Sequence, residues 1–86
     1  MKVRFIVTVN ARTGPNISTP ICGKIAAGTV VNCQGSVDGL DGRIWVSFIG
    51  NSGYLRYACA EDVNGQLYVD GPSRAIIWTK FHNMIK

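Results

Sequence analysis

Residues able to do chemistry are few in this chain, and they are scattered. His82 is the one histidine, and Cys22, Cys33 and Cys59 are the three cysteines. A thiolate activated by an imidazole is a nucleophile, and the two partners need only meet in space. None of the three cysteines lies in a recognisable nucleophile context, and no Cys-x-x-Cys knuckle supplies half a zinc site. The acidic residues Asp38, Asp41, Glu61, Asp62 and Asp70 fall in or beside expected turns. A pair such as Glu61-Asp62 could do glycosidic acid–base work, but a solvated turn is the simpler reading in so short a chain. There is no phosphate-binding loop or dinucleotide fingerprint. The residues point away from catalysis, and neither cofactor nor metal is expected.

Binding chemistry is better represented. The stretch VNARTGPN, residues 9–16, crowds Asn10, Arg12, Thr13 and Asn16 around a Gly14-Pro15 turn. Glycine is free to adopt positive φ and proline holds φ near about −65°, so the pair reverses the chain. The polar crowd either saturates the loop's own backbone or faces a ligand. Arg12, with five donors, suits both tasks. Trp45, Tyr54 and Tyr57 lie on or near a later hairpin, where aromatic faces can pack against a ligand's backbone or methyl groups. Core packing is the competing role for Trp45. Tyr54 and Tyr57 fall on opposite faces of a regular strand, so at most one of them shares a groove with Trp45.

These residues must be positioned by short β-rich runs punctuated by glycine. Residues 2–9 read as a first strand, followed by a polar loop over 10–20. Strands are expected at 21–25 and 29–34 with a turn at Ala27-Gly28, and two turn signals fall within 35–42. The run 44–49 is the clearest strand, and Gly50-Asn51 turns it into a partner over 52–57. Asn64-Gly65 is a further hairpin signal, and Gly71-Pro72 breaks the chain again. Residues 73–86 read either as a strand over Ala75-Ile76-Ile77-Trp78-Thr79 or as a helix with Ser73 as N-cap. Many short strands with frequent turns make a small all-β barrel or sandwich.

Size and charge set the bounds. The chain has 86 residues, 47% of them apolar, which excludes disorder by composition. No apolar run approaches the roughly 18 residues of a membrane span. The run Phe5-Ile6-Val7 is too short for a secretory h-region, so the chain is expected to be made in the cytoplasm without a signal peptide. An odd cysteine count then favours reduced, buried thiols, with a Cys22–Cys33 bridge across a hairpin left open. The formal charge is +4, spread singly along the chain. Nucleic-acid footprints are clusters or stripes, so that partner is not expected.

Three segments resemble a known family. VNARTGPN resembles the Leu-Asn-Val-Arg-Ser-Gly-Pro-Ser opening of bacterial SH3 (SH3b) domains. GKIAAGTVVNC resembles the Gly-x-Leu-x-x-Gly-x-x-Val segment that follows, and WVSFIGNSGYL resembles the family's Trp-x-x-Val, Asn-Gly, Gly-Trp/Tyr-Val hairpin. They occur in order over roughly residues 7–60. The resemblance implies a small SH3-like β-barrel that binds peptidoglycan without catalysis. Such modules target a peptidoglycan hydrolase, such as a phage endolysin or bacterial autolysin, to the cell wall. It also implies that Asn10, Arg12, Thr13, Trp45 and Tyr54 edge the ligand groove, and Asn16 and Tyr57 join them as candidate binding residues from the polar loop and the aromatic hairpin. Ala11 departs from the family's branched apolar residue.

The expected organisation is a single domain over 1–86, with a barrel core at about 3–60 and a C-terminal extension at about 61–86. The extension carries Leu67, Tyr68, Val69, Ile76, Ile77, Trp78, Phe81, Met84 and Ile85. That much apolar surface favours a homo-oligomer or assembly with a catalytic endolysin subunit. The rival readings are an oligomerising structural subunit and a nucleic-acid-binding small barrel.

Overall fold

The computed structural model describes residues 1–70, and the alternatives for residues 73–86 lie outside the described residues. Six strands form: β1 (Lys2–Arg4), β2 (Val9–Arg12), β3 (Ile21–Ile25), β4 (Val30–Asp38), β5 (Ile44–Ile49) and β6 (Leu55–Glu61). They pair antiparallel in the order β1-β4-β5-β6-β2-β3, and the described residues contain no helix. The sheet curls into the small SH3-like barrel expected from the motifs.

Alternation sets its two faces, because successive side chains of a strand point to opposite sides. The inner face carries Val9, Ala11, Ile25, Cys33, Val46, Phe48, Ala58 and Ala60, joined in one core by Val3, Phe5 and Val69. The residues opposite one another in the ladder obey this: Ala11 pairs with Ala58, and Ala58 with Val46. Small Ala11 and Ala58 at the centre let the strands curl tightly over a thin core. Ala11, the departure from the family pattern, is one of these inner residues.

The strand expected over 2–9 is in fact two. Phe5-Ile6-Val7 reads as a buried run, but the chain leaves β1 beside β4 and must reach β2 between β6 and β3. Residues 6–7 make this crossing as a bend, with Ile6 49% and Val7 37% exposed. Phe5 is the pivot. Its N–H donates to the Thr29 carbonyl (3.0 Å) and its carbonyl accepts from the Gly28 N–H (2.7 Å). Gly28 has φ 89°, a left-handed conformation that glycine adopts without strain.

The polar loop expected to begin at Asn10 begins at Thr13 instead. Val9-Asn10-Ala11-Arg12 alternates buried and half-buried and is paired on both sides, which is why it stays extended. β4 likewise runs on to Asp38, through residues expected to turn, because a register shift between Cys33 and Gly35 accommodates the glycine within the ladder. β6 starts at Leu55, after the Gly50-Asn51 turn, and reaches Glu61.

Residues 67–69, read as part of the extension, help close the barrel. Val69 bridges to Phe5 and Leu67 to Glu61. The Tyr68 N–H donates to Ala60 (2.8 Å), while the Tyr68 carbonyl accepts from Ile6 (2.9 Å). Val69 is fully buried, so the core extends past residue 60.

All three cysteines are free, and no Cys22–Cys33 bridge forms. Cys33 and Cys59 are buried, and burial pushes each thiol up to about 11. Cys22 departs from the expected burial, because β3 is an edge strand whose residues 21–24 are all exposed. A thiol-reactive disulfide reagent at neutral pH is therefore expected to modify one cysteine quickly and the other two only on unfolding. Three fast thiols would contradict this packing. Phe5→Ala is expected to cost about 3–5 kcal/mol in urea unfolding, whereas a loss near zero would show that the barrel closes without the Phe5 pivot.

Candidate ligand-binding groove

The outer face of the sheet carries a different set of residues. Register places Trp45 opposite Cys59, Tyr57 opposite both Ser47 and Arg12, and Asn10 opposite Lys24. Directly opposed side chains share a face. Over this face rise the β2–β3 loop, residues 13–20, and the β4–β5 turn, residues 39–43. Between them lies a groove of about 510 Å³, lined chiefly by Thr8, Asn10, Arg12, Ile17, Lys24, Arg43, Trp45 and Tyr68.

Arg12 builds one wall. Its Nη1 donates to the carbonyls of Ile17 (2.9 Å) and Thr19 (2.7 Å), so the guanidinium ties the loop back over its own strand. Thr19 continues the tie through its hydroxyl, which donates to Gly14 (3.0 Å) and Asn16 (2.7 Å). The Asn16 side-chain oxygen accepts from the Ser18 N–H (2.6 Å) and the Ser18 hydroxyl. The Thr13 N–H donates to Pro20 (3.2 Å) across the loop. Much of the polar crowd in VNARTGPN thus satisfies the loop's own backbone, which is what a stiff wall requires.

The opposite wall is the turn that carries Asp41 and Arg43. Asp41 pairs with the Arg43 guanidinium and accepts from the Arg43 N–H (3.1 Å), and that backbone bond is the main cause lowering its carboxyl below the usual range. Asp62 does the same for the next turn. It accepts from Gln66 and Asn64 N–H groups, both at 2.9 Å, and from the Tyr68 hydroxyl at 3.3 Å. The Gln66 bond chiefly lowers its pKa.

Trp45 is the floor. It is only 1% exposed, so it is packed in the interior rather than displayed, outside the main inner cluster. Its indole N–H is buried without a partner among the described residues. A side chain at Gly39 would place its first carbon 2.7 Å from Nε1, so the turn packs directly on the indole.

The structure therefore brings together Asn10, Arg12 and Trp45. Thr13 and Asn16 lie within the loop itself and do not line the groove. Tyr57 shares the outer face beside Arg12 without lining the groove, and Tyr54 stands 65% exposed near the distal turn with Arg56 over its ring at 5.3 Å. Ile17, Lys24, Arg43 and Tyr68 were not anticipated. Lys24 was legible in principle, since pairing residues 9–12 with 21–25 as a hairpin puts it beside Asn10. Tyr68 was not, because its position depends on the closing segment. Among the described residues no cluster of His, Cys, Asp and Glu is grouped to hold a metal ion.

Both turn carboxylates have folded-state pKa values below their unfolded ones, so their contribution to stability is present above the unfolded value of about 3.9 and is lost as pH falls through the folded value. Stability is expected to be flat above about pH 5 and to decline below about pH 4. Carboxyl-carbon NMR titration checks the assignment, and ordinary values for Asp41 and Asp62 would contradict the turn geometry.

Comparison with known proteins follows the same lines. No family model matches the sequence, and no curated protein matches it significantly. Solved structures do match. The lysostaphin SH3b domain in its P4-G5 complex superposes with a TM-score of 0.70 at 26% identity, covering 80% of this chain and 81% of that one. The antimicrobial peptidase lysostaphin from Staphylococcus simulans gives the same score and identity, but the match spans only 30% of that longer chain. The cell wall targeting domain of the peptidylglycan hydrolase ALE-1 matches with a TM-score of 0.69 at 24% identity, over 80% of this chain and 76% of that one, a likeness of fold. Motifs and fold agree: the chain has the fold of a bacterial SH3 (SH3b) domain.

Proposed function

We propose that this chain is a non-catalytic cell-wall-binding module that brings a peptidoglycan hydrolase, such as a phage endolysin, to the bacterial wall. One observation carries the reading. A lysostaphin SH3b domain of the same fold was solved in a P4-G5 complex, and the fold here holds a groove lying over a buried indole and walled by a stiffened loop.

The ligand is a peptide portion of peptidoglycan, lying along the outer face between the β2–β3 loop and the β4–β5 turn. Backbone groups of such a peptide would meet the Asn10 amide and remaining Arg12 donors, and its methyl groups would pack on the exposed Ile17 side chain. The same reading includes association with a catalytic subunit or with further copies, which would raise avidity for a repetitive wall by about 100-fold or more. The apolar side chain of Val69 is already used inside the barrel, so such association would involve other surfaces.

Asn10→Ala is the cleanest probe, since Arg12 anchors the loop and Trp45 is buried. Its retention on purified Gram-positive walls is expected to fall roughly three- to tenfold, the loss of one hydrogen bond, with an unchanged melting temperature. Tyr54→Ala is expected to bind as the parent does. Equal binding by Asn10→Ala, or loss only in Tyr54→Ala, would move the site to the distal hairpin, and no retention of the parent chain would overturn the function.

A further inference from the structure

The charged lining of the groove is of one sign. Asn10 and Lys24 are direct cross-strand partners, and Arg12 follows Asn10 by two residues on the same outer face. An amide, an ammonium and a guanidinium therefore stand in one row along the β2–β3 hairpin. The two bonds from Arg12 Nη1 go to neutral carbonyls, which fix the guanidinium without offsetting its charge. Lys24 makes no ion pair among the described residues. The third cation of the lining, Arg43, is held by Asp41 across the groove.

Among the described residues, no lining residue supplies a compensating negative charge. Asp62 is engaged with the Tyr68 hydroxyl and two backbone N–H groups in its own turn. Cys59 and Tyr68 line the groove as neutral groups, since burial raises the pKa of both. A neutral ligand laid over the row would strip water from two cations and return only weak bonds. A carboxylate returns charge-assisted hydrogen bonds to both and to the amide between them.

Resting on the proposed function, we propose that the groove selects a free carboxylate, held by the row of Asn10, Arg12 and Lys24. The preferred ligand is then the carboxylate-bearing end of a peptidoglycan peptide, and neutral internal peptide is a poorer one. The number of cations favours this source over an anionic phosphodiester polymer. Two uncompensated charges beside Ile17 and Trp45 suit one carboxylate flanked by an apolar side chain, whereas a polyphosphate needs an extended basic track.

The test uses the whole chain and two synthetic stem peptides of the same sequence, one ending in a free carboxylate and one in a carboxamide. Calorimetry is expected to give about tenfold tighter binding of the acid, the order of a charge-assisted bond. That preference should fall severalfold in Lys24→Gln and return in Lys24→Arg. Equal binding of acid and amide, or a preference undiminished in Lys24→Gln, would overturn the inference. Wall retention measured in parallel separates the two claims: walls retained without carboxylate preference overturn only this selectivity, and absence of both wall and peptide binding overturns the function beneath it. Loss of retention after phosphodiester polymers are stripped from the walls would make phosphate the anion and overturn the carboxylate assignment.

Discussion

The fork between Arg12 and the carbonyls of Ile17 and Thr19 is the contact on which the groove depends. A loop of this length, joining two strands, has no core of its own. Without a tie it would sample many shapes, and ligand binding would have to bear the cost of ordering it. Arg12 projects from the outer face of β2 into the loop and closes it with two charge-assisted bonds. Thr19 and Asn16 then satisfy the remaining reach of backbone. The wall is thus assembled before any ligand arrives. The same alternation that sends Arg12 outward sends Ala11 inward, so one short strand builds both the groove and the core.

Much of this was legible in the sequence. Glycine-punctuated β runs imply an all-β barrel, and β3 and β5 begin and end where their side chains indicate. The VNARTGPN stretch was correctly read as the approach to a polar loop, but its first residues are strand. Local polarity outweighed alternation there, since Asn10 and Arg12 are the half-buried, outward-facing residues of a paired strand. The opposite error arose at Phe5-Ile6-Val7, where three apolar residues hide a crossing between distant strands. No local pattern reports that crossing, because it is set by which strands β1 and β2 join.

The groove was partly legible for the same reason. Asn10, Arg12 and Trp45 lie where the motifs pointed, and Lys24 follows once the hairpin register is known. Trp45 resisted a local decision because its burial comes from the turn at Gly39 packing over it, which no local pattern reports. Tyr68 reaches the groove only through the closing segment that stitches Val69 to Phe5. The barrel therefore carries its binding face on elements far apart in sequence, with the cations of β2 and β3 contributed by one local hairpin.

The measurement closest to the central claim is an amide and indole NMR map of the isotopically labelled chain titrated with solubilised peptidoglycan fragments. Ligand in the groove predicts the largest shifts at Asn10, Lys24, Arg43 and the Trp45 indole N–H, with residues of β1 unmoved. Shifts confined to β1 or to the β5–β6 turn, with the Trp45 indole unchanged, would contradict it.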